Sequence, residues 1–155
     1  SVTPTPTGLP WGKTEKLREH IYRTYVGEDS SLASPSEILT ALNIYRKNHG
    51  RQPVTTDNRL CELARLRAQQ QGKNKDLDEH KGLIEYLNDP EHWKYLDIKA
   101  IGENASYGYQ LSGTHLVEWV FDADEEHRDN QLNPQWNRAC AATFGLLVEV
   151  LFADK

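Results

Sequence analysis

Ala139-Cys140-Ala141-Ala142-Thr143-Phe144-Gly145-Leu146-Leu147-Val148-Glu149-Val150-Leu151-Phe152 is the stretch on which the fold turns. Val148 to Phe152 alternates and is rich in β-formers, so it reads as strand, and Gly145 stands near the bend of a predicted strand pair. The segments upstream read mainly as helix. Several helices followed by a late run of strands spell an α+β fold rather than a parallel α/β sheet.

Working back along the chain, a helix is predicted from near Thr114, carrying Leu116, Trp119, Val120 and Ala123. Ile98 to Gln110 mixes glycine and aromatics in the manner of an irregular loop or short strand. A short helix is expected around Leu83 to Leu87, halted before Pro90, and Lys73 to Asp78 is a polar loop. A longer helix follows Asp57, with Leu60, Leu63, Ala64, Arg67 and Ala68 on one face, and ends at Gly72. The clearest helix start is Ser34-Pro35-Ser36-Glu37, an N-cap, a proline at the first helical position and a capping box. Ile38, Leu42 and Tyr45 form its buried stripe, and Gly50 stops it. From Thr14 a further N-terminal helix is expected, with Leu17, Ile21, Tyr25 and Val26 on one side. Residues 1–13 read as a Thr/Pro-rich linker, leaving 14–155 as one domain.

Composition narrows the function. The 155 residues carry 18 basic and 23 acidic side chains, a net charge of −5, which argues against a phosphate-binding footprint and hence against nucleic acid as a partner. Mean hydropathy is −0.73 and no apolar run approaches the roughly 20 residues that span a bilayer, so no membrane span is expected. Two cysteines, Cys61 and Cys140, form one bridge or none, and two separate buried thiols are the expectation. The absence of methionine reads as a processed chain.

Common catalytic signatures are missing: no Gly-x-Ser-x-Gly elbow, no His-Glu-x-x-His, no phosphate-binding glycine loop and no Cys-x-x-Cys. Asp122, Asp124 and Glu126 imitate the start of an EF-hand, but His127 stands where that loop demands glycine. What remains is a scattered set of His80, Glu103, Asp122 and His127. Neutral imidazoles with one or two carboxylates are a workable divalent-metal set when separate segments converge. His20, His49, His92 and His115 have no evident converging partner and read as surface residues. Asn104-Ala105-Ser106 fits a glycosylation sequon, although a packed or cleft-side role suits Asn104 better.

Leu42-Asn43-Ile44-Tyr45-Arg46 with Gly50, then Leu60-x-x-x-Ala64, resembles the start of a CAP domain, the fold of cysteine-rich secretory proteins, antigen 5 and group-one pathogenesis-related proteins. His80 falls where that family places its first cleft histidine. Gly102-Glu103-Asn104 matches the family's Gly-Glu-Asn motif, Trp119 its helix tryptophan, and His127-Arg128-x-Asn130 the bacterial form of the segment with the second histidine. The resemblance covers roughly residues 35–152. It implies a three-layer α-β-α sandwich whose cleft gathers His80, Glu103, Asp122 and His127, and in many members such a cleft binds Zn2+ or another divalent cation. Asn104, Tyr107, Trp119 and Asp124 are expected to line it. Seven residues precede His127 after Trp119, a longer spacing than the bacterial form usually shows, so Asp124, Glu125 or Glu126 remain alternatives to Asp122 as the acid.

Helical geometry supplies an independent condition. In an unbroken helix Asp122 and His127 would stand about 140° apart, and His127 would point into the core. A shared cleft therefore requires the helix to end between Ala123 and Glu126. The functional expectation is a secreted or cell-surface module, monomeric, that presents the cleft to an extracellular ligand or protein partner. The alternative is a metal-dependent hydrolase of peptide, glycan or phosphodiester, with Glu103 as general base.

Overall fold

A computed structural model of the chain describes residues 10–155. The predicted linker lies outside the described residues as far as residue 9.

The C-terminal strand pair forms as expected: β4 (Arg138–Phe144) and β5 (Leu147–Asp154) are antiparallel and joined at Gly145, whose φ of 56° suits a residue without a side chain. Ile98 to Gln110 contains a longer strand than expected, β3 (Ala100–Tyr107), which pairs with the other side of β5. The sheet order is therefore β3-β5-β4, with β5 central. Its alternation serves two cores at once. Val148, Val150 and Phe152 face one apolar cluster, while Leu147, Leu151 and Ala153 face the other.

Each face is covered by helices, giving the α-β-α sandwich. On one side lie α1 (Pro35–Asn48) and the helical segment 113–123, in which α5 (Gly113–His115) passes into a π-helical turn (Leu116–Val120) and a 3₁₀ turn (Phe121–Ala123). On the other side lies α2 (Asn58–Asn74), with Leu83 of α3 (Lys81–Leu87) and Leu96 of α4 (Pro90–Leu96) completing the second cluster. Helix α1 begins with the predicted capping box at Ser34 and Glu37. Helix α2 is capped by Asp57 and runs to Asn74, two residues past Gly72. Pro90 proves to be a start as well as a stop: Asp89 caps α4 and the proline occupies its first turn, where no donor is needed.

Two expectations are corrected. The segment from Thr14 is not a helix but a hairpin, β1 (Thr14–Arg18) and β2 (Ile21–Thr24), turning at His20 with φ 61°. Four-residue spacing of Leu17, Ile21 and Tyr25 suits a helix, but a short isolated helix is marginal in water. The β-branched and aromatic residues instead pair across strands, as Thr14 with Thr24 and Lys16 with Tyr22, and Leu17 stays exposed. The cysteines are not separate thiols but a Cys61–Cys140 disulfide with Cα atoms 5.1 Å apart. Cys140 occupies the face of β4 that receives α2, so helix-on-sheet packing brings the two together.

Candidate functional site

Gly102-Glu103-Asn104 lies on β3, the edge strand on the side of the sheet away from β4. Consecutive strand residues point to opposite faces, so Glu103 and Asn104 serve different layers. On the α2 side, Arg67 is fully buried; its Nε and Nη2 donate to Glu103 Oε2 and Oε1 at 2.8 and 3.1 Å, and Nη1 and Nη2 donate to Asp78, each at 2.7 Å. Glu103 Oε1 also lies 2.8 Å from His80 Nδ1. Burial alone would raise the Glu103 carboxyl, but hydrogen bonding with Glu149, His80 and Arg67 outweighs it and holds Glu103 well below the usual carboxylate range. Burial and the adjacent Glu103 charge push Glu149 well above its ordinary value. Its Oε2 accepts from Gln71, and its Oε1 has no partner among the described residues.

On the opposite side, buried Asn104 donates through Nδ2 to the His127 carbonyl at 3.0 Å and accepts from Asn130 Nδ2 at 2.9 Å. Gly102 faces the same way, and a Cβ there would stand 2.6 Å from Asn130 Oδ1 and 2.8 Å from the Trp136 ring. The motif thus has a physical reading: no side chain where α6 (Glu125–Leu132) approaches, a carboxylate for one layer and an amide for the other.

The condition on the helix is met. The helical run from Gly113 stops at Ala123, Asp124 takes an extended backbone (φ −127°, ψ 154°), and α6 starts at Glu125. Asp124 is its N-cap, accepting from the His127 backbone N–H at 3.0 Å, and its Oδ2 also lies 2.7 Å from His127 Nδ1. His80 from one layer and His127 from the other therefore reach a common cleft of about 350 Å³, lined also by Glu103, Asn104, Glu126 and Asn130.

The sequence profile of the cysteine-rich secretory protein family, CAP, matches residues 39–139. The chain belongs to the CAP family. Its fold is similar to that of a cysteine-rich secretory protein from Staphylococcus aureus, at 15% identity and TM-score 0.62, over 76% of this chain and 37% of that one. It is similar to an extracellular protein containing an SCP domain from Bacillus anthracis, at 17% identity and TM-score 0.65, over 78% of this chain and 40% of that one. An outer surface protein from Borrelia burgdorferi is likewise similar, at 17% identity and TM-score 0.63, over 76% of this chain and 90% of that one. The chain thus spans about two fifths of the first two of these proteins. No curated protein sequence matches it.

In this CAP domain three of the four residues carried over from the family come together, and one does not. His80, Glu103 and His127 share the cleft. Asp122 is turned away from His127 and accepts a short hydrogen bond from the Tyr45 hydroxyl of α1. Its place beside His127 is taken by Asp124, because the chain breaks there and the N-cap geometry brings the carboxylate back over the third residue of α6. Of the other lining residues expected, Asn104 is in place. Tyr107 and Asp124 line an adjoining cavity of about 210 Å³ between the N-terminal hairpin and β3. Trp119 lies away from both, half-buried, with its ring stacked on His115 and edge-on to Trp11. His115 in turn pairs with Asp29 at 2.7 Å.

His20 is a surface residue as expected, but the expectation that it lacks a partner is corrected. It stands at the hairpin tip, its Nδ1 2.8 Å from Glu126 Oε1 and its ring 5.3 Å from that of His80. The neighbouring Arg18 reaches the other bank, donating to Asp76 and Glu79 at 3.1 Å and to the Leu77 carbonyl at 2.8 Å. Nothing in the local sequence around His20 marks this role, since it depends on the hairpin crossing the cleft.

The donor set can be tested against a cation. Each cleft imidazole has Nδ1 held by a carboxylate, His80 by Glu103 and His127 by Asp124, the arrangement in which metal-ligating histidines are commonly oriented. Nε2 is then the atom that each ring would offer to a cation. Glu103 is engaged on both oxygens, by Arg67 and His80. Among the described residues, the group of three donors lying within 4.8 Å of one another is Glu19, His20 and Glu126, not the set carried over from the family.

Proposed function

We propose that this CAP domain is an extracellular binding module whose cleft takes a divalent cation, and with it a ligand or partner, through His80 and His127. The carrying observation is that two imidazoles from opposite layers enter one cleft, each with its ring turned by a carboxylate. Three features support an extracellular setting. Similar structures include proteins named as extracellular or outer-surface, no described helix is long and apolar enough to cross a membrane, and Cys61–Cys140 is a bridge of the kind that persists under oxidising conditions.

Binding is favoured over hydrolysis by the state of Glu103. A general base must be free to accept a proton near neutral pH, whereas Glu103 is buried, paired with Arg67 and held strongly ionised. A cation bound at the two Nε2 atoms would supply a Lewis-acidic anchor for an oxygen-bearing ligand.

Zinc titration followed on the imidazole nitrogen resonances tests this. The His80 and His127 rings shift together, strongly at about pH 7.5 and weakly at about pH 5, because only neutral imidazole ligates. Rings that stay unmoved at millimolar zinc would overturn the reading.

A further inference from the structure

We propose that Glu19, His20 and Glu126 form a cation site of their own, taking a divalent transition metal of the zinc class at the tip of the N-terminal hairpin. The three side chains offer one nitrogen and two carboxylate oxygens, all within 4.8 Å of one another. In a tetrahedral zinc site, bonds of about 2.0–2.2 Å place ligand atoms about 3.4 Å apart, so modest side-chain rotation closes the set. His20 Nδ1 stands 2.8 Å from Glu126 Oε1 and 3.9 Å from Glu19 Oε1, distances that bracket that spacing. One nitrogen with two carboxylate oxygens suits zinc and its first-row neighbours, and three protein donors leave a coordination position open.

The backbone already fixes the frame for these donors. Glu19 and His20 come from the turn between β1 and β2, and Glu126 from the first turn of α6, so an ion there joins two elements remote in sequence. On the other bank, Arg18 fixes the same turn to Asp76, Leu77 and Glu79. The tip is thus anchored on one side by an arginine and on the other by a His–Glu pair that a metal would tighten. The site lies outside the span matched by the family profile in two of its three donors. It does not depend on the cleft reading, since neither His80 nor His127 is among its ligands.

The experiment is amide hydrogen exchange on the full chain with and without zinc, beside calorimetric zinc titration. Zinc is expected to slow exchange across residues 14–24 at least tenfold in the unaltered chain and equally in His80→Ala/His127→Ala. His20→Ala, and separately Glu126→Gln, should lose that protection and weaken the hairpin-linked zinc affinity at least tenfold. All three donors are solvent-exposed at 41% or more of their side-chain surface, so these variants fold. Zinc protection of the hairpin that persists in His20→Ala, that vanishes only in His80→Ala/His127→Ala, or that never occurs would overturn the site. The second of these outcomes would leave the cleft reading standing, and ring shifts confined to His20 would do the reverse.

Discussion

The molecule has a β-hairpin at each end of its described chain, and the two are built on opposite principles. β4–β5 is buried on both faces: every residue from Leu147 to Ala153 is covered, and the alternation along β5 feeds two cores. β1–β2 buries only Ile21 and Thr24 and is held at its tip by Arg18 and His20. The first hairpin is fixed by apolar area, the second by polar side chains reaching to two banks of a cleft. One makes the fold; the other lies across the cleft.

The comparison can be broken most forcefully at Leu151. Leu151→Ala should cost about 3 kcal/mol in chemical denaturation, within the range for a buried leucine in a close-packed core. A loss below about 1 kcal/mol would mean that the C-terminal hairpin does not carry the core as described. A smaller effect is expected beneath the cleft. Glu103 and Asp78 are held below their ordinary values, so the stability they contribute is present above the normal carboxylate range and is lost as pH falls through their lower folded values. Glu149 has the opposite sign: its raised value costs stability as pH rises above the carboxylate range. Glu149→Gln should therefore stabilise the protein at pH 7, because an amide carries no such cost. The gain should shrink near pH 4, as read from urea unfolding at the two pH values. The smallest effect belongs to the N-terminal hairpin. Arg18→Ala should leave global stability nearly unchanged, as loss of exposed ion pairs does, while hydrogen exchange at residues 14–24 quickens. Global unfolding coupled to that quickening would erase the distinction between the two hairpins.

The same contrast explains what the sequence discloses. Where burial is two-sided or capping is strong, local pattern and structure agree: β5, the capping box at Ser34 and the cap at Asp57 are all legible. The break before His127 was legible too, as a geometric requirement, although the acid it delivers is Asp124 and not Asp122. Tertiary context decides the remainder. Thr14 to Thr24 carries a periodicity compatible with helix, and only pairing across the turn at His20 selects strand. The disulfide depends on which face of β4 meets α2. Arg67 reads as one more residue on a helix face, and nothing nearby in sequence says that it neutralises Glu103 and so orients His80.

Cys61–Cys140 spans a sequence separation of 79, and Arg67, His80, Glu103, Asp124 and His127 all fall inside that covalent loop. A protease that cuts once anywhere within it leaves two polypeptides still tied together, running as a single species until reductant is added. One cut between Thr24 and Ser34 has no such safeguard and frees the N-terminal hairpin. In a medium containing proteases, the paired imidazoles would therefore outlive the first nick to their own segment, and the piece that spans them would be the one shed.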